Sequence, residues 1–181
     1  MTFKVYFYAE QAFLSFVKKS LINPTTDKDE VVEAGAVCVL ACAAALEAMV
    51  NSLLKDSGRL RHFDELKLRS KIETIADFGG EIIDWGVQPW QDIAQLIRVR
   101  NWLAHYKDPD IGLVNSESEW IKDSVNKAPK IDPDRELSMK VVKNYYDSTR
   151  QGLKTLATCL HVDTYLVEFL DTEKYEPFPV G

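Results

Sequence analysis

One short segment of the chain combines residue types that can transfer protons and bind anions. Between residues 98 and 105 it carries Arg98, Arg100, Asn101 and His105. A histidine titrates near neutrality and can accept or release a proton, and a planar guanidinium can hold an anion through two parallel hydrogen bonds. A lone histidine near a helix end more often caps the helix or lies on the surface. The combination of these residues therefore marks the segment as a candidate site.

On a helical wheel, Arg100 falls among apolar residues and not on the polar side. At about 100° per residue, one side of the segment 93–105 is apolar. Its members are Ile93, Leu96, Ile97, Val99, Leu103 and Ala104. Arg100 lies at the centre of this side, whereas Arg98, Asn101 and His105 lie together on an adjacent polar side of the helix. Burying an unpaired charge is costly, so Arg100 needs either a partner or a function.

A glutamate also lies on an otherwise apolar helix face, in a segment earlier in the chain. Glu47 lies in the middle of a helix face that is otherwise apolar, and Asn51 follows one turn later. The apolar members of that face are Leu40, Ala43, Ala44, Val50 and Leu54. We predict that Glu47 pairs with Arg100, or with Lys71 as the competing cation, and that loss of a buried Glu47 costs about 3–5 kcal/mol. The alternative is that the pair only fixes helix register and takes part in no chemistry.

Proline, glycine and polar links divide the chain into the helices that would position these residues. The spacing of apolar residues predicts helices over about 3–21, 30–55, 65–78, 89–106 and 135–161. Residues 107–135 are predicted to be a loop insertion with one short helical turn near Trp120, and residues 162–181 an extended tail. Strand-like alternation is rare. The prediction is a single all-α domain over residues 1–181, an antiparallel helical bundle of four to five main helices.

Composition and charge exclude several classes of function. The chain has 181 residues, of which 46% are hydrophobic, and a formal net charge of −6. An acidic chain does not bind nucleic acid through its overall field, which counts against a sequence-specific DNA-binding protein. The cysteines Cys38, Cys42 and Cys159 form no Cys-x-x-Cys pair, and the three histidines are far apart in sequence. We therefore expect buried reduced thiols, no metal site and no cofactor.

The N-terminal residues lack the charged and apolar regions of a signal peptide. The uncharged stretch 34–46 is shorter than the roughly 20 residues that a membrane span needs. We predict that this stretch belongs to a core helix, that the protein does not associate with a membrane, and that it is cytoplasmic.

The segment Arg100-Asn101-Trp102-Leu103-Ala104-His105 resembles the motif of the HEPN family, in which four to six residues separate an arginine from a histidine and a polar residue follows the arginine. Arg98 and His105 have the six-residue spacing, but the apolar Val99 follows Arg98. The helix around Glu47 and Asn51, and a lysine such as Lys71 between the two helices, are also similar to bacterial members of this family. The resemblance covers about residues 30–160.

This resemblance implies a metal-independent endoribonuclease that acts as a homodimer, with both motifs facing one cleft. His105 would be the general base or acid, Arg100 would clamp the phosphate, and Asn101 would orient one of them. Glu47, Asn51, Lys71 and Arg98 would support the site. Attack by a ribose 2′-OH would leave a 2′,3′-cyclic phosphate. Such hydrolases often serve as toxins of toxin-antitoxin pairs or as phage-defence effectors, which an antitoxin partner holds in check.

Two other interpretations stay open at the level of sequence. The first is a non-catalytic HEPN module that dimerises or binds nucleotides or RNA, and it would have His105 sealed by Trp102 and Tyr106. The second is a helical adaptor without a ligand, and it predicts no shared cleft. An RNA cleavage assay in EDTA, beside His105→Ala, separates the ribonuclease from both of these interpretations.

Overall fold

Every element of secondary structure in the described part of the chain is helical. The computed structural model describes residues 9–25, 27–58, 63–105 and 131–161. These ranges contain α1 (Ala9–Ile22), α2 (Lys28–Ser57), a 3-10 turn (Phe63–Glu65), α3 (Leu68–Phe78), α4 (Trp90–His105), α5 (Pro133–Glu136) and α6 (Met139–Cys159). The predicted all-α class is confirmed for the described residues.

The helices end where short-range signals in the sequence stop them. After α2, Gly58 has φ 59°, and its N–H donates to the Lys55 carbonyl at 3.2 Å. Gly80, just after α3, has φ 73°. Glycine adopts this left-handed conformation at little cost, because it has no Cβ. At the start of α6, the Ser138 hydroxyl accepts a hydrogen bond from the Val141 N–H at 3.4 Å and caps the helix.

α2 is the central helix, since it contacts α1, α3, α4 and α6. Its buried apolar positions are Cys38, Val39, Ala41, Cys42, Ala43, Ala45, Leu46, Met49, Val50, Leu53 and Leu54. Burying one large apolar side chain contributes about 1.5–3 kcal/mol relative to leaving it exposed. α2 is thus the common surface against which the other helices are positioned.

A close approach between α4 and α6 fixes the position of α4. A Cβ atom at Gly152 of α6 would lie 2.5 Å from Cδ1 of Ile93 in α4. Two carbon atoms prefer a separation of about 3.5–4.0 Å, so a larger residue at position 152 would push the helices apart. The absence of a side chain at Gly152 therefore allows α4 to pack directly on α6.

The structure differs from the sequence prediction around residue 135. The last long helix begins at Met139 and not near 135, and α5 occupies Pro133–Glu136, across the end of the predicted loop 107–135. Proline suits the first turn of a helix because its missing N–H would have no partner there, and the Ser138 cap starts a separate helix. The predicted turn near Trp120, the rest of the loop and the tail 162–181 lie outside the described residues.

The segment Glu30–Lys55 of α2 is long and apolar enough to cross a membrane, with a mean hydropathy of 2.0 over its most apolar window. Of that window, 61% is buried inside the protein. This segment is longer than the uncharged stretch 34–46, so its length does not exclude a membrane span. Buried core helices of soluble proteins have the same composition, so this feature is weak evidence for a membrane segment.

Candidate functional site

α4 presents one face to the core and carries the candidate residues toward its C-terminal end. Ile93, Leu96 and Val99 are each completely buried. Asn101 and Ala104 are exposed, and Arg100 is half-buried. The packing of α4 against α2 and α6 therefore sets which part of the segment reaches solvent.

Glu47 of α2 and Arg100 of α4 form a salt bridge. The Arg100 Nη2 donates to the Glu47 Oε2 at 3.2 Å, and the Arg100 Nη1 donates to the Asn101 Oδ1 at 3.1 Å. Two oxygen atoms, one anionic and one from an amide, thus hold the two terminal nitrogens of the guanidinium. The predicted pairing of Glu47 with Arg100 is confirmed.

The predicted burial of this pair is wrong. The side chains of Arg100 and Glu47 are 39% and 42% exposed. Arg100 follows Leu96 by one turn, so its Cα–Cβ bond points toward the core. A long arginine side chain can nevertheless lie along apolar surface and place its guanidinium in water. Half-exposed pairs contribute about 0–1 kcal/mol, so the larger cost expected for a buried pair does not apply.

Lys71 of α3 contacts the side of α2 that carries Glu47, one helical turn further along α2. Its Nζ donates to the Asn51 Oδ1 at 2.7 Å, and the residue is only 5% exposed. Asn51 follows Glu47 by one helical turn. Three helices therefore bring five of the predicted residues into one polar strip, which consists of Glu47, Asn51, Lys71, Arg100 and Asn101.

Arg98 does not join this polar strip. It is exposed, and two residues along a helix correspond to a rotation of about 200°, so Arg98 and Arg100 project from different sides of α4. His105 is the last residue of α4, and its side chain lies outside the described part of the structure, as does Tyr106. The predicted cover of His105 by Trp102 and Tyr106 thus also lies outside it.

The described residues form no cluster of metal-binding side chains at this site. Within them, no group of three or more His, Cys, Asp or Glu side chains is arranged to hold a metal ion. Cys38, Cys42 and Cys159 are free and buried, as predicted. Burial raises the pKa of each of these thiols, so they stay protonated and unreactive near neutrality.

A second group of polar contacts was missed by the sequence prediction. The Tyr145 hydroxyl donates to the Glu136 Oε2 at 2.5 Å, and the Ser148 hydroxyl donates to the Asp92 Oδ2 at 2.8 Å. Burial first, and then the bond to Glu136, raise the pKa of Tyr145 well above its usual range. Ser148 joins α6 to α4, and Tyr145 joins α6 to α5. The signal available in the sequence was the same as for Glu47, namely a polar residue among core positions.

Comparison of the chain with protein-family models, with curated proteins and with solved structures finds no match.

Proposed function

We propose that this protein is a metal-independent endoribonuclease of the HEPN type, whose helices form an antiparallel bundle. The observation that supports this proposal is the arrangement of Arg100 and Asn101 near the end of α4. The guanidinium is half-exposed, and the side chains of Glu47 and Asn101 hold its two terminal nitrogens. A cation that is both oriented and accessible is what a phosphate-binding site requires.

Arg100 keeps the capacity to bind a phosphate in this arrangement. A guanidinium has five N–H donors, and the two hydrogen bonds to Glu47 and Asn101 use two of them. The remaining donors can reach an anion that approaches from the solvent side. Arg100 would therefore stabilise the charge that develops on the phosphate during cleavage.

The proposed reaction is attack by a ribose 2′-OH on the neighbouring phosphorus. His105 takes the proton of the 2′-OH, the 2′-oxygen forms a bond to phosphorus, and the bond to the 5′-oxygen breaks. The leaving 5′-oxygen takes a proton from an imidazolium. The products are a 2′,3′-cyclic phosphate and a 5′-hydroxyl, and the reaction needs neither a metal ion nor a cofactor.

We further propose that the enzyme is a cytoplasmic homodimer with both segments facing one cleft. One segment supplies a single histidine and few phosphate-binding groups, whereas two segments supply a base and an acid together. An activity of this kind fits a toxin or a phage-defence effector that an antitoxin partner holds in check.

One observation favours a second candidate, a non-catalytic HEPN module that dimerises or binds nucleotides or RNA. Glu47 already neutralises Arg100, and the whole chain has a net charge of −6. A guanidinium whose charge is balanced can serve to connect α2 and α4 without taking part in a reaction.

An RNA cleavage assay in EDTA separates the two candidates. For the enzyme, we expect cleavage of single-stranded RNA, cyclic phosphate ends, and resistance of a substrate with 2′-deoxyribose at the cleavage position. His105→Ala should be inactive. Lys19→Ala is the control, because Lys19 is an exposed cation on α1. Equal cleavage by wild type and His105→Ala, or loss of cleavage on chelation, would contradict the proposed mechanism.

A further inference from the structure

A carboxylate lies directly at the proposed phosphate-binding group. The Glu47 Oε2 is 3.2 Å from the Arg100 Nη2, and 42% of the Glu47 side chain is exposed. Any anion bound by Arg100 is therefore close to a fixed negative charge, and this charge is only partly exposed to solvent. With hydrogen bonds of about 2.9 Å on neighbouring guanidinium nitrogens, the two anions would be roughly 4–7 Å apart.

This proximity makes the site sensitive to the charge of the phosphate that it binds. A phosphodiester within an RNA chain carries one negative charge, whereas a terminal phosphate monoester carries nearly two above pH 7, because its second pKa is about 6. At about 6 Å in a strongly hydrated site, each additional negative charge near a carboxylate lowers affinity roughly 3- to 10-fold.

Among the residues that the structure describes around Arg100, no exposed cation of the polar strip offsets the charge of Glu47. Lys71, the other cation of the polar strip, donates to Asn51 one turn away from Glu47 and is 5% exposed, so it does not face an incoming ligand. Arg98 projects from a different side of α4 from Arg100. Among the described residues of the polar strip, Arg100 is the exposed cation and Glu47 the exposed anion.

We propose that Glu47 is a specificity-determining residue, which shifts the selectivity of the Arg100 site toward monoanionic internal phosphodiesters and away from dianionic terminal phosphates. This inference rests on the proposed function in one respect, namely that Arg100 binds phosphate. It adds the substrate class: positions within an RNA chain and not its phosphorylated ends.

The experiment compares two small competitors that differ in charge. A fluorescent 2′-O-methyl hexaribonucleotide, which cannot be cleaved, is bound to the full-length protein at pH 8 and constant ionic strength. Dimethyl phosphate and methyl phosphate then displace it. The measured quantity is the ratio of the two affinities, which cancels any overall change in the amount of folded protein.

Glu47→Gln should raise affinity for methyl phosphate more than affinity for dimethyl phosphate, so that their ratio increases roughly 3- to 10-fold. Glu47→Asp, which keeps the charge, should keep the wild-type ratio. Glu33→Gln is the matched control, because Glu33 is an exposed carboxylate on α2 about 21 Å along the helix axis from Glu47. Its ratio should also equal that of wild type.

Two results would overturn the inference. One is an unchanged ratio in Glu47→Gln while Arg100→Ala still weakens binding. The other is that neither dimethyl phosphate nor methyl phosphate displaces the hexamer from any of the variants. Cleavage of RNA by the wild type, measured separately, decides the proposed function: an active enzyme with an unchanged ratio refutes only the role of Glu47, and a shifted ratio without cleavage refutes only catalysis.

Discussion

Lys71 and Asn51 form a hydrogen bond of 2.7 Å between α3 and α2, in which a nearly buried ammonium group donates to a side-chain amide oxygen. A buried charge depends on its acceptors, because the desolvation cost of an ion exceeds that of an amide. The two partners are therefore unequal, and their removal should have unequal consequences.

Asn51→Leu should destabilise the protein by about 1–3 kcal/mol, since it removes an acceptor from a buried ammonium. Lys71→Met should change stability by less than about 1 kcal/mol, because it removes the charge and keeps the length of the side chain. Urea denaturation measures both free energies of unfolding. In the double variant most of the cost of Asn51→Leu should disappear, and simple additivity would show that the bond does not matter for stability.

Glu47→Ala should cost only about 0–1 kcal/mol of stability, because the side chains of both Glu47 and Arg100 are half-exposed. The difference from wild type should shrink further in high salt, which screens exposed charges. Urea denaturation at low and high salt is the measurement. A loss of about 3 kcal/mol or more would mean that the pair behaves as a buried one.

Substitutions of Arg100 and His105 should have the same effect on RNA cleavage but different effects on stability. His105→Ala and Arg100→Ala should each abolish cleavage of RNA. Arg100→Ala should also lower the free energy of unfolding slightly, because it removes the contacts with Glu47 and Asn101. Cleavage rates and thermal melting are compared for both variants. Full activity of Arg100→Ala would rule out its role as a phosphate clamp.

Tyr145 should make the protein less stable at high pH. Its pKa is raised in the folded state, so above its ordinary value of 10 the unfolded chain ionises while the folded protein does not. The contribution of Tyr145 to the free energy of unfolding is therefore fully present below pH 10 and decreases as the pH rises above 10. Urea midpoints between pH 8 and 11 should show this decrease.

Tyr145→Phe is the matching variant. It should be less stable than wild type at pH 8, because Glu136 loses its buried donor. Its further loss between pH 9 and 11 should be smaller than in wild type. Parallel pH profiles of the two proteins would show that another group causes the alkaline transition.

The proposed dimer should form at micromolar concentration and place both His105 side chains around one groove. Analytical ultracentrifugation measures the mass in solution. Mixing inactive His105→Ala with wild type should lower activity per wild-type chain, because mixed dimers then contain one complete segment. A monomer that cleaves RNA at full rate would refute the shared cleft.

The amino-acid sequence by itself determined the helical class and most helix ends. The stops at Ser57-Gly58 and Gly79-Gly80 depend on the conformational freedom of single residues, and such effects act within a few residues of the chain. The pairing of Glu47 with Arg100 was also predictable, because each charge interrupts an apolar face. Two opposite charges on core-facing sides are expected to form a pair, since an unpaired charge there is costly.

Only the tertiary structure decided how exposed these charges are and which other groups meet. A helical wheel gives the direction of a Cα–Cβ bond, but the half-exposed position of the Arg100 guanidinium depends on a long flexible stem and on the helices around it. The burial of Lys71, the contact of Ser148 with Asp92 and the start of α6 at Met139 follow from packing between segments far apart in sequence. Such contacts are set by the shape of the whole core, which no local pattern contains.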